Sequence, residues 1–154
     1  METLLSASAL IMAFAVLSAV GAQEKKLARK DLPKAVEAAV TKESAGAEIK
    51  GFSKEKEKGV LTYEVELIVN GHSKDIAMDA RGNILEVEED VMMDSLSDAV
   101  RAGLKGGAGN GTISKIESLT RKGTLVGYEA TVVIGKKHRE IQVGSEGQKL
   151  PREL

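Results

Sequence analysis

The sequence predicts an α+β fold: two tandem helix-plus-four-stranded antiparallel sheet repeats, with the helices packed on one sheet face. Three observations predict it. The chain matches itself at an offset of 64 to 65 positions. Each copy opens with apolar residues at the three-and-four spacing of one helix face, and the rest of each copy alternates apolar and polar with period two.

The self-match orders everything else. A shift of 64 puts Leu32, Ala35, Val36 and Ala38 on Leu96, Ala99, Val100 and Ala102, then Ile49 on Ile113 and Gly59 on Gly123. One residue enters, and a shift of 65 puts Tyr63-Glu64 on Tyr128-Glu129, Ile76 on Ile141, Gly82 on Gly147 and Leu85 on Leu150. The domains expected are a signal peptide over 1–22, a first repeat over 23–91 and a second over 92–154.

The helix of the first copy carries Leu32, Ala35, Val36, Ala39 and Val40 on one face; Leu96, Ala99, Val100, Gly103 and Leu104 do the same in the second. Asp31 is the expected N-cap of the first, with Pro33 tolerated in its first turn, and Ser95-Leu96-Ser97-Asp98 has capping-box form. Strands are expected next, around Ile49 to Lys54 and Ile113 to Leu119. Leu61, Tyr63, Val65, Leu67 and Val69 then point inward along one strand, and Tyr128, Ala130, Val132 and Ile134 along its counterpart. Asn70-Gly71 is a hairpin turn because both residues accept positive φ, and Gly135-Lys136-Lys137 stands in the matching place. A third strand is inward at Ile76 and Met78, and at Ile141 and Val143. After the turns Asp79 to Asn83 and Gly144 to Gly147, a fourth begins at Leu85 and Val87, and at Leu150. Helices on one face leave the other open, and the two units can join edge to edge into one eight-stranded sheet.

The N-terminal segment is apolar from Leu4 to Val20, and Val20-Gly21-Ala22 has the small residues that signal peptidase accommodates, so cleavage is expected after Ala22. Glu2 in place of a basic start, with Lys25, Lys26, Arg29 and Lys30 beyond the run, instead suits an uncleaved anchor. The run is at the short end for a span and carries a cleavage site, which favours the signal peptide and a periplasmic or secreted location, with no stable membrane insertion after cleavage. The net charge of −1 offers no basic face for nucleic acid, and the absence of Cys removes disulfides and thiolate metal sites.

The succession Leu32-Pro33-Lys34-Ala35-Val36, Tyr63-Glu64-Val65-Glu66-Leu67 and Asp79-Ala80-Arg81-Gly82-Asn83-Ile84-Leu85 resembles the PepSY-like domain family of secreted bacterial proteins. The resemblance covers Leu32 to Val87 fully and Leu96 to Leu150 loosely, where Ser97 and Gly144 replace the Pro and the turn Asp. That family is described as similar to the β-lactamase inhibitor protein, a tandem of two helix-plus-four-strand units. The resemblance implies a helix-backed antiparallel sheet, export, and a role in binding or inhibiting other proteins. It carries over no inhibitory residue, because it lies in core and turn positions.

Catalysis finds no support. There is no Cys nucleophile, no Gly-x-Ser-x-Gly elbow and no His with Ser and acid in recognisable order, so no catalytic residue is assigned and the chain is expected not to be an enzyme. The glycine-rich stretch Lys105 to Thr112 has its Lys ahead of the glycines and follows a helix, which makes it a helix C-cap and linker rather than a phosphate cradle. His72 and His138 each follow a hairpin without a paired ligand spacing; both are expected at the surface, and no metal or cofactor is assigned. Tyr63 and Tyr128 are expected in the core.

What remains is the open face, with Thr62, Glu64, Glu66 and Ile68 from the first unit and Glu129, Thr131 and Val133 from the second. Lys50, Lys74 and Arg139 are the expected compensating charges. The chain is therefore expected to be an exported non-enzymatic binding module, an inhibitor of a protease or other enzyme among the readings, acting through this face on an exported protein. The alternative is an envelope-associated structural or stabilising protein without a discrete partner. The face lacks the aromatic anchors that dominate tight protein interfaces, which points to polar or charge-guided contact.

Overall fold

Tight turns and apolar alternation divide the chain into short elements. The structure, a computed structural model, describes residues 24–57 and 59–151, so the expected signal peptide over 1–22 lies outside the described residues. The elements run β1 (Lys25–Leu27), α1 (Lys34–Glu43), β2 (Glu48–Glu57), β3 (Val60–Val69), β4 (His72–Met78), β5 (Ile84–Asp90), α2 (Asp98–Ala108), β6 (Thr112–Arg121), β7 (Thr124–Ile134) and β8 (Lys137–Val143). Short 3₁₀ turns at Arg29–Asp31 and Met93–Ser95 lead into the two helices.

All eight strands form one antiparallel sheet in chain order, from β1 at one edge to β8 at the other. The two halves meet where β5 pairs with β6, with Glu86 opposite Arg121, Glu88 opposite Leu119 and Asp90 opposite Glu117. Of the arrangements open to the sequence, the single continuous sheet is the one formed. Its composition differs from two sets of four. An extra strand, β1, pairs with β2 ahead of the first helix. Among the described residues the fourth strand expected at Leu150 is reduced to a single bridge, Val143 to Lys149, followed by Pro151, which has no amide to donate to a ladder.

Register places both helices on the same side of the sheet. Leu32, Val36 and Val40 bury against Phe52, Tyr63, Val65, Leu67, Ile76 and Met78. Leu96, Val100 and Leu104 bury against Ile116, Ala130 and Val143, with Tyr128 and Ile141 packed around them. Pairing carries the side from one core to the other, since Ile76 is opposite Val87, Val87 opposite Thr120, and Ile116 opposite Ala130. Both tyrosines stand on the helix side, as the alternation predicts.

The helix starts differ from expectation in detail. Asp31 ends a 3₁₀ turn and caps nothing; Pro33 occupies the cap position of α1. Proline fixes the φ that the first turn needs and has no amide to leave unpaired, so the cap residue becomes dispensable. In α2 the cap is Ser97, whose hydroxyl accepts from the Val100 amide at 3.3 Å, while the Ser95 hydroxyl donates to the Met92 carbonyl. The glycine-rich stretch extends α2 to Ala108 and ends it at Gly109, where φ is 60°.

The turns after β4 and β8 share one hydrogen-bond pattern. The Asp79 amide donates to the Asn83 carbonyl at 3.0 Å and the Gly82 amide to Asp79 at 3.0 Å; Gly144 and Gln148, and Gly147 and Gly144, repeat this at 2.8 and 2.9 Å. Gly82 and Gly147, both at positive φ, press on the helices: a Cβ would stand 2.5 Å from the Ala35 carbonyl oxygen and 2.1 Å from that of Ala99. Only glycine permits both the turn and the approach. Gly82→Ala and Gly147→Ala are each expected to destabilise the fold by about 1–3 kcal/mol in urea denaturation. Gly106→Ala, in α2 with open space at its Cβ, is expected to stabilise it by up to about 1 kcal/mol.

Candidate functional site

The side of the sheet away from the helices collects most of the acids of β3 to β7. Register places Thr62, Glu64, Glu66 and Ile68 of β3 there, with Glu129, Thr131 and Val133 of β7. These seven share the face as expected, but as two groups: β3 and β7 are four strand spacings apart, about 19 Å. Glu129 is not presented to solvent. It is 4% exposed, and one carboxylate oxygen accepts from the Gln142 side chain at 2.7 Å.

Between the two groups lie acids that complete a belt: Asp75 on β4, then Glu86, Glu88 and Asp90 on β5, and Glu117 on β6. Register sets like charges directly opposite one another, Glu66 with Asp75, Asp75 with Glu88, Asp90 with Glu117, and Glu117 with Glu129. Each such pair is destabilising, by up to about 1 kcal/mol. A face that served stability alone would not accumulate them.

The compensating cations are not the ones expected. Lys74 pairs opposite Leu67, on the helix side, and contacts Glu89 at 3.2 Å. Arg139 stands opposite Val132, also on the helix side, and donates to the Gly107 and Ala108 carbonyls at the end of α2. Lys50 sits at the β2 irregularity and contacts Glu48. The open face is instead served by Lys26, bound to Glu66 and Glu24, by Lys115, 2.6 Å from Glu117 and 3.8 Å from Asp90, and by Arg121, bound to Glu86. The strand period is the reason: a one-residue difference in register moves a side chain to the other face.

On this face the carboxylates of three acids make neither hydrogen bond nor ion pair with any described residue: Glu64, Asp75 and Glu88. Burial, joined by the charges of Asp75, Glu66 and Glu24, pushes the Glu64 carboxyl up to about 8. Burial pushes Asp75 up to about 7, opposed by Lys115 and assisted by Glu117. Burial, with Glu129, Glu117 and Glu86 around it, pushes Glu88 up to about 10. Burial also raises Glu117, against its hydrogen bond from Lys115. The carboxylates of Asp75, Glu88 and Glu117 lie with one oxygen each within 4.8 Å of one another, a grouping that could hold a metal ion.

Elsewhere the described residues offer little chemistry. His72 and His138 are exposed, as expected after hairpins. A cleft of about 610 Å³ beside α2 is lined by Gly103, Gly107, Ile141 and Leu150 among others and does not include His138. No helix among the described residues is long and apolar enough to cross a membrane.

The fold has counterparts among solved structures. A BLIP-like protein from Bacteroides fragilis aligns with a TM-score of 0.56 at 22% identity, over 79% of this chain and 85% of that one. The fold is BLIP-like. A DUF2874 family protein from Bacteroides ovatus aligns with a TM-score of 0.59 at 18% identity, over 78% of this chain and 85% of its own. A protein from Bacteroides eggerthii, provisionally described as periplasmic, aligns at 0.62 with 15% identity, over 79% and 88%. No family model and no curated protein matches the chain, so the PepSY-like resemblance stands on its residues alone. At these identities the BLIP-like likeness concerns the fold alone.

The acidic face sets the response of stability to pH. A carboxyl whose folded pKa is raised contributes stability below its unfolded pKa, near 4, and that contribution is lost as pH rises through the folded value. With Asp75 pushed up to about 7 and Glu64 to about 8, the melting temperature in chelator is expected to fall from pH 5 to pH 9, by on the order of 5 °C. Glu64→Gln is expected to flatten this slope and raise the melting temperature at pH 9, read by circular dichroism.

Proposed function

We propose that the chain is an exported, non-enzymatic binding module that docks a partner protein on the open face of its BLIP-like sheet. The observation that carries this reading is the face itself: helices cover one side, while the other sets acid against acid from β3 to β7. A surface that gathers like charge at the cost of stability recognises the opposite charge. The partner is accordingly an exported protein with a basic surface, an enzyme held or inhibited in this way being one such case. The expected leader over 1–22 supports export, and the provisional periplasmic description of the Bacteroides eggerthii neighbour agrees with it. The two halves act as tandem repeats, 23–91 and 92–154, a reading supported by the matching turns at Asp79–Asn83 and Gly144–Gln148.

The test is immobilised chain from residue 23 onward, exposed to periplasmic extract of its own source at low salt. A basic protein is expected to be retained, released by raised salt, and bound about tenfold more weakly by the double variant Glu64→Gln, Glu66→Gln. Neutralisation rather than reversal keeps the variant folded. Retention of nothing at low salt, or retention unaffected by both salt and the substitutions, would contradict the reading.

A further inference from the structure

The belt contains one place where three acids converge without enough positive charge to answer them. Asp75, Glu88 and Glu117 come from β4, β5 and β6 and lie with one carboxylate oxygen each within 4.8 Å of the others. We propose that these three carboxylates bind a hard divalent cation, calcium in preference to magnesium, across the junction between the two halves of the sheet.

Two independent observations point to a ligand here. The first is the geometry. Three oxygens evenly spaced around an ion at about 2.3–2.6 Å stand about 4.0–4.5 Å apart, so oxygens within 4.8 Å of one another need draw in by at most a few tenths of an ångström to hold calcium. Magnesium needs about 2.0–2.1 Å and would require the oxygens to draw closer. An all-carboxylate set favours hard cations over the softer metals. The second is Asp75 itself. It is 9% exposed, and its carboxylate makes no hydrogen bond or ion pair with a described residue, although a buried carboxylate is costly unless paired. It is turned toward Glu88, its register partner, and toward Glu117. Lys115 answers Glu117 at 2.6 Å, which leaves Asp75 and Glu88 to be met by something else.

Position gives the ion a structural consequence. Asp75 and Glu88 belong to the first half of the sheet and Glu117 to the second, so a cation bound to all three links β5 to β6 beyond their backbone ladder. The site requires no partner protein and stands or falls apart from the docking function.

The experiment is isothermal titration of the chain from residue 23 onward, freed of metal by chelator, with calcium chloride alone and magnesium chloride alone at neutral pH. Saturable binding of one calcium ion per chain is expected, with magnesium weaker and with a calcium-dependent rise in melting temperature. Asp75→Asn and Glu88→Gln should each weaken calcium binding at least about tenfold while melting in chelator at or above the temperature of the parent chain, since each removes a buried acid that is repelled when ionised. Glu48→Gln, exposed and outside the cluster, should leave binding unchanged. Absence of both saturable binding and thermal stabilisation up to about 10 mM calcium, beyond the weak end of extracellular calcium modules, overturns the proposal. So does calcium binding that persists undiminished in the double variant Asp75→Asn, Glu88→Gln.

Discussion

The structure depends on the ladder between β5 and β6. Every other strand pairing joins neighbours within one half, whereas this one joins the cores built around α1 and α2. Its hydrogen bonds run on at both ends, from the Val91 amide to Ile116 and from the Lys122 amide to Leu85. Without it each half would present an unpaired strand edge, the usual starting point for misassociation. With it the sheet has two edges among the described residues. One is the three-residue β1, and the other is β8, which begins with Lys137 and carries Arg139; both are features that blunt an edge.

The same ladder concentrates charge. Because both helices pack on one side, most acids of β3 to β7 are sent to the other, and joining the halves brings them into one field. Glu86 is answered across the seam by Arg121, but Asp90 faces Glu117 and Glu88 faces Leu119. The acids there must be neutralised by protons, by a cation or by a partner. The wrong-way charges are therefore better understood as function carried by a stable frame than as part of that frame. Binding a basic protein and binding a cation act on the same excess of negative charge, so the two would compete wherever their residues overlap.

Much of the frame was legible in the sequence, because it rests on periods. Val36 and Val40, or Val65 and Leu67, are placed by spacing alone, and Asn70-Gly71 is identified by the two positive φ angles of 53° and 86° that it adopts. Gly82 and Gly147 were visible as a repeated pair, although their reason, the close approach to Ala35 and Ala99, requires the tertiary structure. The helix caps were misplaced by a few residues because Asp31 and Ser95 are used in 3₁₀ turns that no spacing announces. The open face was legible by strand but not as a site. Alternation gave β3 and β7 correctly, yet the partners of Asp75 and Glu117 are set by which strands are neighbours. The alternating Glu86, Glu88 and Asp90 were the available signal, and they mark one face of β5 without saying what lies beside it. Lys74 and Arg139 were assigned to that face for the same reason and belong to the other.

The account turns on one continuous sheet whose seam bears the acidic site. Native-state amide hydrogen exchange tests this most directly, read for residues 85–91 and 116–122 with calcium and with chelator. The account predicts that these amides are protected to the same order as those of β3 and β7, and that calcium slows their exchange more than that of β1 or the β7–β8 hairpin. Seam amides that exchange at the rates of a free edge, indifferent to calcium, would contradict it.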